Sequence, residues 1–148
     1  MTTRDDVTAA VLSAKRAKGL TFTAIAAQLD LPKVWLTAAL LGQHPFPAET
    51  AARVGELLDL DDEQVVVLTE FVSRGSFDPS APPTDPTVYR LYEVLQVYGP
   101  ALKQLVHEEF GDGIMSAINF NLELERRADP GGDRVRITLD GKFLPYQW

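Results

Sequence analysis

Three side chains within residues 88–120, VYRLYEVLQVYGPALKQLVHEEFGDGIMSAINF, are of types that handle small anions. Arg90 carries a fixed positive charge and a fork of donors, and Glu93 follows three positions later. Ser116 offers a hydroxyl just beyond the glycine-punctuated Gly111-Asp112-Gly113. A guanidinium holds planar oxyanions through paired N–H groups. A hydroxyl supplies one more donor, and a carboxylate either orients the cation or carries a proton. Neither a metal nor an organic cofactor is needed to complete that set.

Each residue also has a plainer use. On a helical wheel of about 100° per residue, Val88, Leu91, Leu95, Tyr98 and Leu102 gather on one side, with Arg90 and Glu93 opposite. An exposed pair at that spacing is worth a few tenths of a kcal/mol and needs no task. However, Val94 and Val97 flank it, so the face is not simply polar. Covered by a neighbouring subunit, the pair would be partly desolvated, which is costly unless it serves a function.

Ser116 is open to three roles: nucleophile, hydrogen-bond donor, or plain strand-start residue. A nucleophile needs a base in reach, and the chain has only His44 and His107. Its surroundings are not G-x-S-x-G, so an esterase elbow finds no support. The backbone of Gly111-Asp112-Gly113 together with the Ser116 hydroxyl would instead form a small donor cluster for an anion. His107, beside Glu108, suits a structural role near a helix end. Two distant histidines give no metal signature. Tyr92, Tyr98 and Phe143 read as core or interface aromatics, and Lys142 as a contact to another subunit.

The positioning elements fall into two halves. The chain has 148 residues, room for one compact domain or two small ones. Its composition is 45% hydrophobic and 24% charged, that of a globular protein. A net charge of -7 disfavours nonspecific attraction to nucleic acid or anionic membrane. There is no cysteine, which removes disulfides, thiolate ligands and a thiol nucleophile. No signal peptide and no run of about 18 apolar residues is apparent, so a cytoplasmic, soluble protein without membrane partners is expected.

Residues 1–72 read as a five-helix bundle. Helical apolar spacing covers 5–18, followed by Gly19; Thr21 or Thr23 caps a second helix; Pro32 opens a third, ended by Gly42. Pro47 opens a fourth, and Asp61 caps a fifth. The second and third helices have the cadence of a helix-turn-helix. A recognition helix needs polar and basic side chains aimed at bases and phosphates. Residues 32–42 offer little beyond Lys33 and Thr37, and residues 1–72 hold 6 basic against 10 acidic side chains. No nucleic-acid partner is expected.

Residues 73–87, with four prolines, read as a stiff connector, and Thr87 as the N-cap of the next helix. Within 88–148, a helix to residue 98 is broken at Gly99-Pro100, and a second runs to Gly111. From Ala117 the period switches to two. Ile118, Phe120, Leu122 and Leu124 lie on one strand, and Val135, Ile137 and Leu139 on another, joined by the turn Asp129-Pro130-Gly131-Gly132-Asp133. The fold class is α+β, mainly α. An isolated hairpin with two helices is too small to stand alone, so an obligate homo-oligomer with an intertwined C-terminal interface is expected.

The run PTDPTVYRLYEVLQVYG, then LVHEEFGDGIMSAINF and the terminal ITLDGKFLPY, resembles the cyanase family (cyanate hydratase, cyanate lyase). TAALLGQ and the helices around it extend the resemblance over nearly the whole chain. It implies bicarbonate-dependent decomposition of cyanate to carbon dioxide and carbamate, which then yields ammonia. Bicarbonate is a co-substrate, and no cofactor or metal is implied. It further implies a helix-turn-helix-like N-terminal domain that does not bind DNA, and interlocked C-terminal halves in a decamer of five dimers. The catalytic arginine, glutamate and serine of the family fall on Arg90, Glu93 and Ser116. Pro100 after Gly99, and the tail KFLPY-Gln-Trp with phenylalanine where tyrosine is usual, depart from the pattern without touching those three. The competing assignment is a non-catalytic helix-turn-helix regulator or assembly protein.

Overall fold

The computed structural model describes residues 2–72 and 81–148. The chain divides into two compact units, Met1–Gly75 and Ser76–Trp148. Residues 73–80 of the expected connector lie outside the described residues.

The first unit is built from five helices, three of them with a side-chain N-cap. Thr3 and Asp6 form a reciprocal capping box at the start of α1 (Arg4–Ala17). The Thr21 hydroxyl accepts from the Ala24 amide at 3.0 Å and starts α2 (Phe22–Leu29). Pro32 and Pro47 precede α3 (Lys33–Leu40) and α4 (Ala48–Leu58). Asp61 and Gln64 box the start of α5 (Asp62–Thr69). Val7, Val11, Ile25, Leu36, Leu40, Val54, Leu58 and Leu68 close an apolar core with Phe46. The Arg4 guanidinium ties three chain segments across it. Nη1 donates to the Val67 carbonyl at 2.7 Å, and Nη2 to those of Ala39 and His44 at 3.1 and 2.8 Å. Partial burial lowers its pKa, partly offset by Glu70.

The second unit holds one long helix and a hairpin. Helix α6 (Pro86–Phe110) runs 25 residues without a break, so the interruption expected at Gly99-Pro100 does not occur. Proline there loses one backbone hydrogen bond, but the residue before it is glycine. With no Cβ at position 99, much of the clash that pushes a pre-proline residue out of the helix is absent. The N-cap is Asp85, not Thr87: its carboxylate accepts from the Val88 amide at 2.9 Å, and Pro86 takes the first helical position. Gly111, at φ 94°, ends the helix. Among the described residues, no helix is long and apolar enough to cross a membrane.

Strands β1 (Gly113–Arg127) and β2 (Arg134–Pro145) pair antiparallel. The first strand starts four residues earlier than the alternation suggests. Phe120, Leu122 and Leu124 face Gly141, Leu139 and Ile137, so these apolar residues share one side of the ribbon. The side is uncovered: Leu124 is 45% exposed and Leu139 54%. Helix α6 has no buried residue at all, with Leu95 and Tyr98 both 59% exposed. Among the described residues of this unit, only Gly113 and Ser116 are buried. Apolar burial at about 25 cal/mol per Å² is the main stabilising term, and this unit, taken alone, has nearly none.

Candidate functional site

Helix α6 presents Arg90 and Glu93 one turn apart, with Nη1 3.4 Å from Oε2. At that length the pair is loose, and both side chains are open to solvent. The guanidinium also lies over the Tyr89 ring, 5.7 Å from its centroid. Val94 and Val97 beside the pair are 50% and 64% exposed. This is the arrangement of a cation held in reserve, paired but still able to take another anion.

Ser116 sits in a different setting from the one expected. It lies inside β1, not in a turn ahead of a strand. Met115 pairs with Phe143 and Phe120 with Gly141, so residues 116–119 stand opposite Lys142 alone. That excess of residues makes a large irregular bulge, which re-aims side chains and frees backbone amides from the ladder. Two of the freed amides turn to the serine: Ile118 N donates to Ser116 Oγ at 3.1 Å, and Asn119 N at 2.9 Å. Among the described residues Ser116 is the one buried polar side chain, 6% exposed. A serine hydroxyl has two lone pairs and one proton. Both lone pairs are occupied, so the proton is what remains for a ligand. Such a hydroxyl is a fixed donor and a poor nucleophile, since attack needs a free lone pair.

One chain does not bring the three side chains together. Twenty residues of α6 separate Arg90 from Phe110, about 30 Å at 1.5 Å per residue. The six residues from Phe110 to Ser116 span only about 20 Å fully extended, so they would not close that gap even by running straight back along the helix. A strand laid there would bury a face of α6, and no residue of α6 is buried. Arg90 and Glu93 are therefore joined to each other, and Ser116 stands apart at the other end.

His107 lies in the last turn of α6, where its carbonyl accepts from the Gly111 amide at 3.0 Å. Phe143 packs on Phe110, with ring centroids 5.3 Å apart. Tyr92 lies near Tyr89. Lys142 is exposed opposite the bulge. The Asp112 carbonyl accepts from the Tyr146 amide, so this part of the glycine segment anchors the C-terminal tail. Among the described residues, no three His, Asp or Glu side chains gather as metal ligands would. Sequence reasoning missed the amides of Ile118 and Asn119. No signal in the sequence marks them: a serine side chain can take up the amides two and three positions on, but only where a bulge frees them from the ladder.

Comparison with known proteins matches both units. The family model described as "Cyanate hydratase, N-terminal" covers residues 4–71, and "Cyanate lyase C-terminal domain" covers residues 80–148. The cyanate hydratase of Mycolicibacterium vanbaalenii is 58% identical over 146 residues, spanning 99% of this chain and 95% of the relative. That of Methylobacillus flagellatus is 54% identical over 144 residues, 97% of each chain. The crystal structure of cyanase from T. urticae superposes with a TM-score of 0.82 at 39% identity, covering 93% of this chain and 96% of that one.

Proposed function

The chain belongs to the cyanase (cyanate lyase) family of enzymes, and from that premise we propose that it decomposes cyanate using bicarbonate as second substrate. The observation that carries this reading is the Ser116 hydroxyl, buried and left with only a proton to offer. Such a group is suited to an oxyanion and unsuited to attack on an ester or amide.

A bicarbonate oxygen forms a bond to the cyanate carbon, and the bicarbonate proton passes to nitrogen. The product is a dianion. Breaking its bond to the former bicarbonate carbon releases carbon dioxide; with one proton taken up, carbamate is left. Carbamate takes up a second proton and falls apart to ammonia and another carbon dioxide. Two like charges must first be brought into contact, and their repulsion is the obstacle. Arg90 neutralises them and holds them in register, which converts an encounter of two anions into a reaction of neighbours. Ser116 donates to the oxygen on which charge builds, from a position set before the reaction begins. Glu93, one turn from Arg90, orients the guanidinium.

The separation of Ser116 from Arg90 within one chain favours a site built from several copies. The uncovered faces of α6 and of the hairpin are the surfaces that would bring them together. We assign these to the assembly that the resemblance implies, interlocked dimers joined five at a time into a decamer, working in the cytoplasm without metal, organic cofactor, membrane or nucleic-acid partner.

Ammonia release by purified protein tests the reaction. Cyanate and bicarbonate together should give ammonia, with either anion alone at the level of the enzyme-free blank. Equal release from cyanate without bicarbonate, in carbonate-depleted buffer, would contradict the proposed co-substrate.

A further inference from the structure

Gly141 on β2 lies directly against the bulge that carries Ser116. A Cβ built on Gly141 would run into the Ser116 carbonyl oxygen, well inside van der Waals contact, and into the Met115 side chain. Gly141 is not among the residues of positive φ, so what the position demands is space and not an unusual backbone conformation. The obstacle is a main-chain carbonyl, which cannot swing aside as the end of a long side chain does.

From this contact we infer that Gly141 is a positioning residue for the Ser116 hydroxyl, an inference that rests on Ser116 acting as the donor proposed above. The ladder is regular up to the Phe120–Gly141 pair and resumes at Met115–Phe143. Between them four residues must fit against one. Close approach of β2 at Gly141 lets residues 116–119 stay coiled, with the amides of Ile118 and Asn119 on the hydroxyl oxygen. A side chain at 141 pushes the Ser116 backbone away, and the hydroxyl moves with it. A misplacement of around 1 Å costs on the order of 100-fold in rate when geometry is part of the catalysis. The substrate charge is held by Arg90, so affinity for the two anions should change little.

The test is a mutant cycle on the full assembled protein, reading kcat and KM for both anions. Ser116→Ala should lower kcat about 100-fold. Gly141→Ala should lower kcat about 10- to 100-fold with KM changed less than about threefold. In the Ser116→Ala background the Gly141 change should add almost nothing, because there is no hydroxyl left to misplace. Damage to the fold in general would multiply the two losses instead. Wild-type kcat for Gly141→Ala, or full multiplication in the double variant, would overturn the inference. Wild-type kcat for Ser116→Ala would remove the donor role of Ser116 itself, a separate failure. If Gly141→Ala does not assemble, Asn119→Pro deletes one amide donor without adding bulk at 141. It should lower kcat with KM kept, again only while Ser116 is present. Unchanged kcat there would overturn the idea that the bulge holds the hydroxyl.

Discussion

Arg90 Nη1 stands 3.4 Å from Glu93 Oε2, one turn along α6, with the two side chains 70% and 49% exposed. In water, such a pair contributes almost nothing to stability. In the proposed assembly its value lies in what would happen when another chain covers it. Desolvation would strengthen every charge interaction there, and the carboxylate would keep the guanidinium from collapsing onto other partners.

Arg90→Ala should reduce kcat/KM for cyanate by about 1,000-fold while light scattering shows an unchanged assembly. Arg90→Lys should recover only a small part, since a point charge lacks the planar fork. Near-wild-type turnover by the alanine variant would remove Arg90 from the site.

Glu93→Gln should cost about tenfold in kcat and leave the shape of the pH–rate profile alone, because an orienting group need not titrate. Disappearance of one limb of that profile would make Glu93 a proton carrier instead.

Leu122 and Leu139 are cross-strand partners on the open side of the hairpin. Leu139→Glu should split the assembly, seen as a fall in light-scattering mass toward smaller species, and should abolish turnover with it. Each such leucine buried in an interface contributes about 2 kcal/mol, and a carboxylate there reverses the sign. Intact assembly would place the interface elsewhere.

Arg4→Ala leaves the carbonyls of Val67, Ala39 and His44 without their shared donor. A loss of about 2 kcal/mol is expected, read as a fall in Tm of roughly 10 °C. Turnover at 25 °C should stay near the wild-type value, since the residue belongs to the other unit.

The Asp6 carboxyl is held below the usual carboxylate range, first by the Thr3 hydroxyl and then by the Thr3 amide. Glu63 is also lowered, first by the Thr2 amide and then by the Thr2 hydroxyl. A depressed folded-state pKa means stability that is complete above the ordinary carboxylate pKa and lost as pH falls through the folded value. Melting should therefore be flat from pH 7 to about 5 on account of these groups, and should drop below about 4. Asp6→Asn should lower Tm at pH 7 and flatten that acid limb. An unchanged acid limb would show that the capping box carries none of it.

The helices of the first unit were legible because their signals are local. Thr21 and Asp61 cap the turn immediately after them, and Pro32 and Pro47 stand one position ahead of the first helical residue. That Leu122, Leu124, Ile137 and Leu139 share one face of a hairpin also followed from simple alternation and the Asp-Pro-Gly-Gly turn. What escaped depends on context. Pro100 alone says stop, yet the preceding glycine relieves the clash and the helix formers Ala101, Leu102, Lys103 and Gln104 after it let α6 continue. The bulge was hidden because period two in 118–124 extrapolates to the wrong strand start. Its cause is partly on β2, where Gly141 makes room. Arg4 drew no reading at all, since nothing in the sequence marks the three carbonyls that converge on it.

The claim that the active site is shared between chains is tested most directly by mixing inactive subunits. Arg90→Ala and Ser116→Ala proteins are denatured, refolded together and assayed for ammonia release with both anions, against each parent refolded alone. Mixed assemblies contain sites with an intact Arg90 from one chain and an intact Ser116 from another, so turnover well above either parent is predicted. Turnover no greater than the average of the parents, from mixtures shown by mass spectrometry to contain both variants, would contradict it.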